Sequence, residues 1–298
     1  MLKLLCSAKI NLTLDVLRRR EDGFHEIDTV FQSVGLCDEL WAERKTSGED
    51  ELVVDGAESA GVPADGANLA LRAVAAYRER LGGGRPLRLK LTKNIPHGAG
   101  LGGGSSNAAA ALFAAHRLWA SSLPPEELEA LAAAIGSDCA FFLRGGAARG
   151  TGRGELLARL PLKRAAGVVL AVPQDRVATA GAYRGLDPER DFGARSDAEQ
   201  AARWLAGASD DPGAWHNAFE RSVFDSHPAC GALAFRLGEL GALRAGLSGS
   251  GSACYGVFAD WPAARAAAES LAGAAPVVRA VPFMDRSLVV MEDAEARR

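Results

Sequence analysis

Leu87, Leu89 and Leu91 alternate with Arg88 and Lys90, and the chain then passes through a dense glycine run into a helix of small residues. The alternation has the period of a half-buried strand. Five of the seven residues from Gly98 to Gly104 are glycine, and Ser105-Ser106-Asn107 leads into an alanine-rich helix reaching about Trp119. A glycine loop ahead of a helix lets backbone N–H groups converge on an anion at the positive end of the helix dipole. Ser105 and Ser106 add hydroxyls suited to phosphate oxygens, or to a metal carried by them. A flexible turn is the bland reading, and a glycine cluster alone leaves the two open.

The kind of loop can be narrowed. Gly98-Ala99-Gly100-Leu101-Gly102-Gly103 formally fits the dinucleotide fingerprint. That motif needs a second parallel strand ending in an acidic residue roughly 20 residues on. Here the region Ser121–Leu131 is proline-broken and then reads as helix, which rejects the match. A Walker A loop needs a Gly-Lys pair, and the chain has none. A protein-kinase set requires a His-Arg-Asp loop, which is also missing.

Elsewhere, Ile10, Leu12, Leu14 and Val16 alternate with Lys9, Asn11, Thr13 and Asp15. The pattern predicts a strand with Lys9 and Asn11 on one face, about 7 Å apart. Arg20–Gly23 reads as a turn delivering Phe24-His25 ahead of a strand over 27–34, with further strands at 39–43 and 52–54. Asn68 can cap a helix reaching Leu81, and Pro124-Pro125 opens another that ends near Gly136. Beyond Leu160 the order is strand (168–172), helices (198–205, 218–224, 229–240), strands (243–247, 253–258), helix (262–272) and strand (277–281). This is close to a split βαβ sandwich with extra helices.

The chain has 298 residues, and a typical domain of about 150 residues suggests two. The expected division is 1–159 and 160–298, with the last residues able to return to the first domain. A hydrophobic fraction of 48% supplies a core without disulfides or disorder. The net charge of −3 argues against nucleic acid or an anionic membrane as partner. The five cysteines are scattered with no Cys-x-x-Cys pair, so they read as reduced, mostly buried thiols of a cytoplasmic protein. The apolar start Met1–Cys6 is too short for a secretion signal, and no run approaches the 18 residues of a membrane span.

The full loop, Pro96-His97-Gly98-Ala99-Gly100-Leu101-Gly102-Gly103-Gly104-Ser105-Ser106-Asn107, resembles the ATP loop of the GHMP small-molecule kinases. Ser7–Leu12 and Asp22–Glu26 resemble the N-terminal signature of the branch that phosphorylates 4-diphosphocytidyl-2-C-methyl-D-erythritol. Ile135–Phe142 resembles that branch's Gly-Ala-Asp-Val-Pro-Phe-Phe block, and Leu247–Ala253 resembles the superfamily's third glycine motif. The blocks span nearly the whole chain in family order, and the stretch from Lys9 to His25 selects the branch.

This resemblance implies an α+β, two-domain GHMP kinase-like fold, with an N-terminal ATP-binding domain and a C-terminal ferredoxin-like sandwich. It implies ATP and Mg²⁺ as co-substrates, the cytidine diphosphate methylerythritol as acceptor in the non-mevalonate isoprenoid route, and a monomer or weak homodimer. Asp138, otherwise an ordinary turn residue able to cap the adjoining segment, matches the family's catalytic base. Lys9, otherwise a solvated strand lysine, matches the lysine that lies beside that base. Asn11 would hold the acceptor. His25 would read the cytosine edge with its donor and acceptor, and Phe24, where tyrosine is usual, would stack on the base. Thr179 and Tyr183 match a Thr-x-x-x-aromatic pattern whose ring closes the other side of the base, although this spacing equally suits packing on one helix face. Asn68 and Lys93 would approach the adenosine. No protein carboxylate is assigned to the metal, which the nucleotide and Ser106 would hold. Ser7 and Cys139-Ala140 depart from the usual Pro and Val-Pro, and local backbone adjustment is the expected consequence. The alternatives are a homoserine- or mevalonate-type kinase, against which Phe24-His25 speaks, and a nucleotide-binding regulator without catalysis.

Overall fold

The alternation around Lys9 belongs to a much longer strand. A computed structural model describes residues 1–291. Strands β1 (Leu2–Arg19) and β2 (His25–Arg44) form one antiparallel hairpin joined by the tight turn at Arg20–Phe24. The two strands expected at 27–34 and 39–43 are therefore one. Gly35 and Leu36 are accommodated in a bulge, where pairing jumps from Ser7–Cys37 to Ala8–Val34. Next come β3 (Glu51–Asp55), α1 (Leu69–Leu81), β4 (Leu87–Thr92), α2 (Gly103–Leu118), α3 (Pro125–Ile135) and the short α4 (Cys139–Arg144). The hairpin β5 (Ala147–Thr151) and β6 (Leu156–Leu160) then adds to β2.

The second half runs through β7 (Gly167–Val172), α5 (Thr179–Arg184), α6 (Pro188–Asp191), α7 (Ala198–Leu205), α8 (Glu220–Ser226) and α9 (Pro228–Glu239). It continues with β8 (Arg244–Leu247), β9 (Cys254–Phe258), α10 (Trp261–Ser270), β10 (Val277–Pro282) and β11 (Leu288–Met291). The first sheet has the path β11-β1-β2-β4-β3, so β11 returns to pair with β1. The second is wholly antiparallel in the order β10-β7-β9-β8. Two mixed α/β units result, the second with the β-α-β-β-α-β order of a ferredoxin-like sandwich.

Small residues set how closely these layers meet. Ala108, Ala110, Ala111, Ala114 and Ala115 of α2 are buried against α1 and the first sheet. With no bulk to hold it off, α2 lies low on the sheet, and its N-terminus is brought to the middle of β1. On β1, Ala8, Ile10 and Leu12 pack with Val168, Leu170, Val172 and Tyr255 of the second unit. The period of two turns Lys9 and Asn11 to the opposite side. The Tyr255 hydroxyl donates to the Leu12 carbonyl at 3.2 Å and ties the second sheet to this strand.

Asp191-Phe192-Gly193 forms an Asp-Phe-Gly triplet whose contacts are structural. Asp191 is held by Arg221 at 2.8 Å, and the Phe192 ring meets His25 edge-on. Among the described residues, no helix is long and apolar enough to cross a membrane.

Candidate active site

The glycine loop leaves β4 through a buried polar knot. The Asp38 carboxylate accepts from the amides of Asn94 and Ile95 at 2.7 and 2.8 Å, from Asn107 Nδ2 at 2.9 Å, and from the Lys93 ammonium. Lys93 also donates to Asn107 Oδ1. Lys93 thus braces the loop from beneath and is not brought to an open face where adenosine could meet it. Asn68 is likewise used within the scaffold. Its Oδ1 caps α1 by accepting from Ala70 N, and its Nδ2 donates to the Pro63 carbonyl.

Above the knot, Gly98, Gly100 and Gly102 take left-handed φ values of 68°, 78° and 71°, alternating with the buried Ala99 and Leu101. Such alternation turns backbone amides toward a common concavity, the geometry of an anion nest. Any side chain at Gly100 would collide with neighbouring backbone, because a Cβ there would lie 2.1 Å from the Ser248 carbonyl oxygen. Gly102 begins α2 without a side-chain cap, so the helix presents its free amides to the loop. The Ser106 hydroxyl is buried there with no hydrogen-bond partner among the described residues. Pro96 is buried at the loop's start, while His97 and Gly104 are exposed and Ser105 is half-buried beside them.

Lys9 and Asp138 meet in front of this loop. Lys9 Nζ lies 3.5 Å from Asp138 Oδ2 and donates to Asn11 Oδ1 at 2.6 Å. Asn11 Nδ2 in turn donates to Thr29 Oγ1, whose hydroxyl donates to the Thr13 carbonyl. The ammonium also lies 5.5 Å from the centre of the Phe31 ring. Burial lowers the Lys9 pKa, and the Asp138 charge offsets part of that shift. Asp138 stands at the start of α4, but its side chain makes no capping bond. The carboxylate keeps 29% of its surface exposed, against 5% for the Lys9 side chain. The helix-capping role open to a turn aspartate is not realised, and the group faces outward as an acceptor. Beside it the Cys139 thiol is buried, and burial pushes its pKa up to about 12, which leaves it unreactive.

At the far end of the hairpin, Asp22 Oδ1 accepts from Phe24 N, and Gly23 takes φ 83° to close the turn. The Phe24 ring is 50% exposed, with the Arg153 guanidinium 4.7 Å from its centre. His25 opens β2, and burial together with the Arg19 charge lowers its pKa, favouring the neutral imidazole that can both donate and accept.

The Tyr183 ring is paired with His25. It lies flat on His25, with centroids 4.6 Å apart and planes at 23°, and meets Phe219 edge-on. Each half-buried ring covers the other's face, so no interval for a base exists between these two. Burial, with the Asp138 charge adding, pushes the tyrosine pKa up to about 12. Thr179 is exposed, and its Oγ1 accepts from Ser250 Oγ at 3.3 Å, linking α5 to the third glycine segment.

Two family models match this chain. The GHMP kinases N terminal domain matches residues 68–146, and the GHMP kinases C terminal domain matches residues 194–276. The 4-diphosphocytidyl-2-C-methyl-D-erythritol kinase of Pelotomaculum thermopropionicum is 40% identical, covering 88% of this chain and 90% of its own. The chain belongs to that kinase family. A crystal structure of a 4-(cytidine 5'-diphospho)-2C-methyl-D-erythritol kinase superposes with a TM-score of 0.80 at 37% identity, covering 94% of this chain and 98% of its own. The homoserine kinase of Cytophaga hutchinsonii shares the fold, with a TM-score of 0.75 at 18% identity over 97% of each chain.

Within this family frame, the structure brings Lys9, Asn11, Asp138 and the Gly98–Ser106 loop together, with His25 and Tyr183 at the other end of the hairpin. It also adds residues that sequence reading passed over. Asp38 and Asn107 anchor the loop, and Thr29 fixes Asn11. Thr29 lies inside a strand pattern and Asp38 in the gap between two, and although Asn107 closes the glycine motif, nothing local shows that it meets Asp38 and Lys93.

Proposed function

We propose that this protein transfers the γ-phosphoryl group of ATP to the 2-hydroxyl of 4-diphosphocytidyl-2-C-methyl-D-erythritol. The observation that carries the reading is the Lys9–Asp138 pair, set between an uncapped helix N-terminus behind a left-handed glycine loop and the exposed Phe24 ring beside His25. The loop amides and the α2 dipole suit the nucleotide's phosphates. Phe24 offers a free aromatic face to cytosine, and His25 a donor and an acceptor to its edge.

Asp138 accepts the proton of the attacking hydroxyl as the new oxygen–phosphorus bond forms. The bond from the γ-phosphorus to the β–γ bridging oxygen breaks, and ADP leaves with that electron pair. Lys9, 3.5 Å from Asp138, stabilises the alkoxide character that develops on the acceptor. Asn11, braced by Thr29, orients both the lysine and the acceptor oxygen.

Hard oxygen donors are what Mg²⁺ requires, and the partnerless Ser106 hydroxyl at the α2 N-terminus fits one coordination position beside phosphate oxygens. Among the described residues, no group of three His, Cys, Asp or Glu side chains forms a cage, so Ser106 and the nucleotide would hold the ion together. When bound, it offsets the phosphate charge that phosphoryl transfer must neutralise.

The direct test is ADP release with Mg-ATP and three acceptors offered separately: the cytidine diphosphate methylerythritol, homoserine and mevalonate. Turnover is expected with the first alone. Turnover with either of the others would discard the base-reading role of Phe24 and His25.

Phe24→Ala should raise the KM for the cytidine substrate roughly 5- to 100-fold, the usual worth of one aromatic stacked on a base. The KM for ATP should be unchanged. An effect confined to ATP would place Phe24 in the other pocket.

A further inference from the structure

The third glycine segment, Ser248–Ser252, covers the site just described. A Cβ on Gly249 would lie 3.3 Å from Lys9 Nζ and 3.5 Å from Asn11 Oδ1. The same segment grips the phosphate loop, because Ser248 Oγ donates to the Gly100 carbonyl at 3.0 Å and Ala253 N to the Ala99 carbonyl at 2.9 Å. Its own backbone is left-handed at Gly249 and Gly251, with φ 58° and 86°. Glycine permits that shape without enforcing it, so the position of the segment must be set from outside.

Beside the Thr179–Ser250 contact already described, two side chains of one helix start hold the entry to the segment. Asn217, buried in front of α8, donates through Nδ2 to the carbonyls of Leu247 and Gly249 at 2.8 and 2.9 Å. Three residues on, Glu220 Oε1 accepts from Leu247 N at 3.0 Å and from Arg244 Nη2 at 2.5 Å. Leu247 therefore has both its N–H and its C=O held by one helix start. That helix start is itself fastened to the strand bearing Lys9 and Asn11, through Leu14 N to the His216 carbonyl and Ala218 N to the Leu14 carbonyl, both 2.8 Å.

We propose that Asn217 and Glu220 are positioning residues for phosphoryl transfer, setting Ser248–Ser252 at a fixed height over Lys9 and Asn11. The proposal rests on the phosphotransferase reading above. It extends that reading to residues that touch neither substrate.

Asn217→Asp separates positioning from a purely structural role. Asn217 Oδ1 accepts from Phe219 N at 3.0 Å, and aspartate serves that capping position equally well. What aspartate loses is both donors, and it sets an oxygen against the two carbonyls instead. The expected result is a roughly 10- to 100-fold loss of kcat at saturating substrates, the worth of a buried polar pairing undone. The Kd for ATP should change little, because the Ala99–Ala253 and Lys9–Leu101 backbone bonds remain. Wild-type kcat and KM in Asn217→Asp, beside a damaged Asn217→Ala, would overturn the proposal and leave Asn217 a cap alone.

If Asn217→Asp does not fold, Glu220→Ala decides, since it removes only the acceptor for Leu247 N and the partner of Arg244. A several-fold fall in kcat is expected, and an unchanged kcat overturns the clamp. Should the wild type not turn over the cytidine compound, the substrate reading fails on its own. Hydrogen exchange then judges the clamp: faster exchange of the 247–252 amides in Asn217→Asp supports it, and unchanged protection overturns it.

Discussion

Replacing Asp138 by asparagine is expected to lower kcat by about 10²- to 10⁴-fold, the range a positioned general base contributes. The amide keeps the size and shape of the carboxylate but cannot take the proton of the acceptor hydroxyl. Phosphoryl transfer passes through a loose transition state with little proton movement, which pulls the expectation toward the lower part of that range. The substitution also leaves the Lys9 ammonium buried without its counter-ion, a second and independent loss. ATP affinity should survive, because the glycine loop and the α2 N-terminus do not use Asp138 for their own shape. Steady-state kcat with both substrates saturating, beside an ATP titration, checks the two halves together. A near-normal kcat would return Asp138 to the role of a helix-start residue.

Which parts of this site can be read from the chain depends on how local each interaction is. The alternation from Lys9 to Val16 is local, so the shared face of Lys9 and Asn11 is legible before any fold is known. The meeting of Lys9 with Asp138 is not. It depends on α4 being seated by Phe141 and Phe142, with Phe141 4.9 Å from the Phe31 ring and Phe142 close under Gly102. A lysine near a glycine loop suggests a phosphate or nucleoside ligand. Lys93 departs from that because Asp38, distant in sequence, lies in the same interior and takes its charge.

The rings at the base end illustrate the same limit. Spacing suggests that Tyr183 either faces a substrate or packs along a helix, and it cannot reveal that His25 supplies the opposing face. The β5–β6 hairpin escapes notice for a different reason. Gly145-Gly146-Ala147-Ala148 carries no polar–apolar alternation, and the strand exists because β2 offers it an edge. Conversely, Gly35 and Leu36 interrupt the alternation without interrupting the strand, since a bulge absorbs them. The overall α+β order survives these local departures because the long helices and buried strands set it.

Removing the Lys9 charge should be the other large loss. Lys9→Met keeps a buried apolar stem and deletes only the ammonium, so the stem stays buried while the cation beside Phe31 and the acceptor is lost. A fall in kcat of about 10²- to 10³-fold is expected for one electrostatic contact to developing charge, with little change in either KM. The pH profile provides a sharper test of the same residue. Burial lowers the Lys9 pKa from the ordinary 10.5, so kcat should fall on the alkaline side at a pH below that value. The direction comes from the active form being the protonated one: rising pH removes the charge and the activity with it. Tyr183 and Cys139, both pushed up to about 12, titrate too late to produce that limb. Lys9→Arg retains its charge throughout this range, so whatever activity it keeps should lose the alkaline limb. In Asp138→Asn the limb should move to lower pH instead, because the carboxylate that raises the lysine pKa is gone. An alkaline limb that stayed fixed in both variants would show that Lys9 is not the group whose charge the reaction needs.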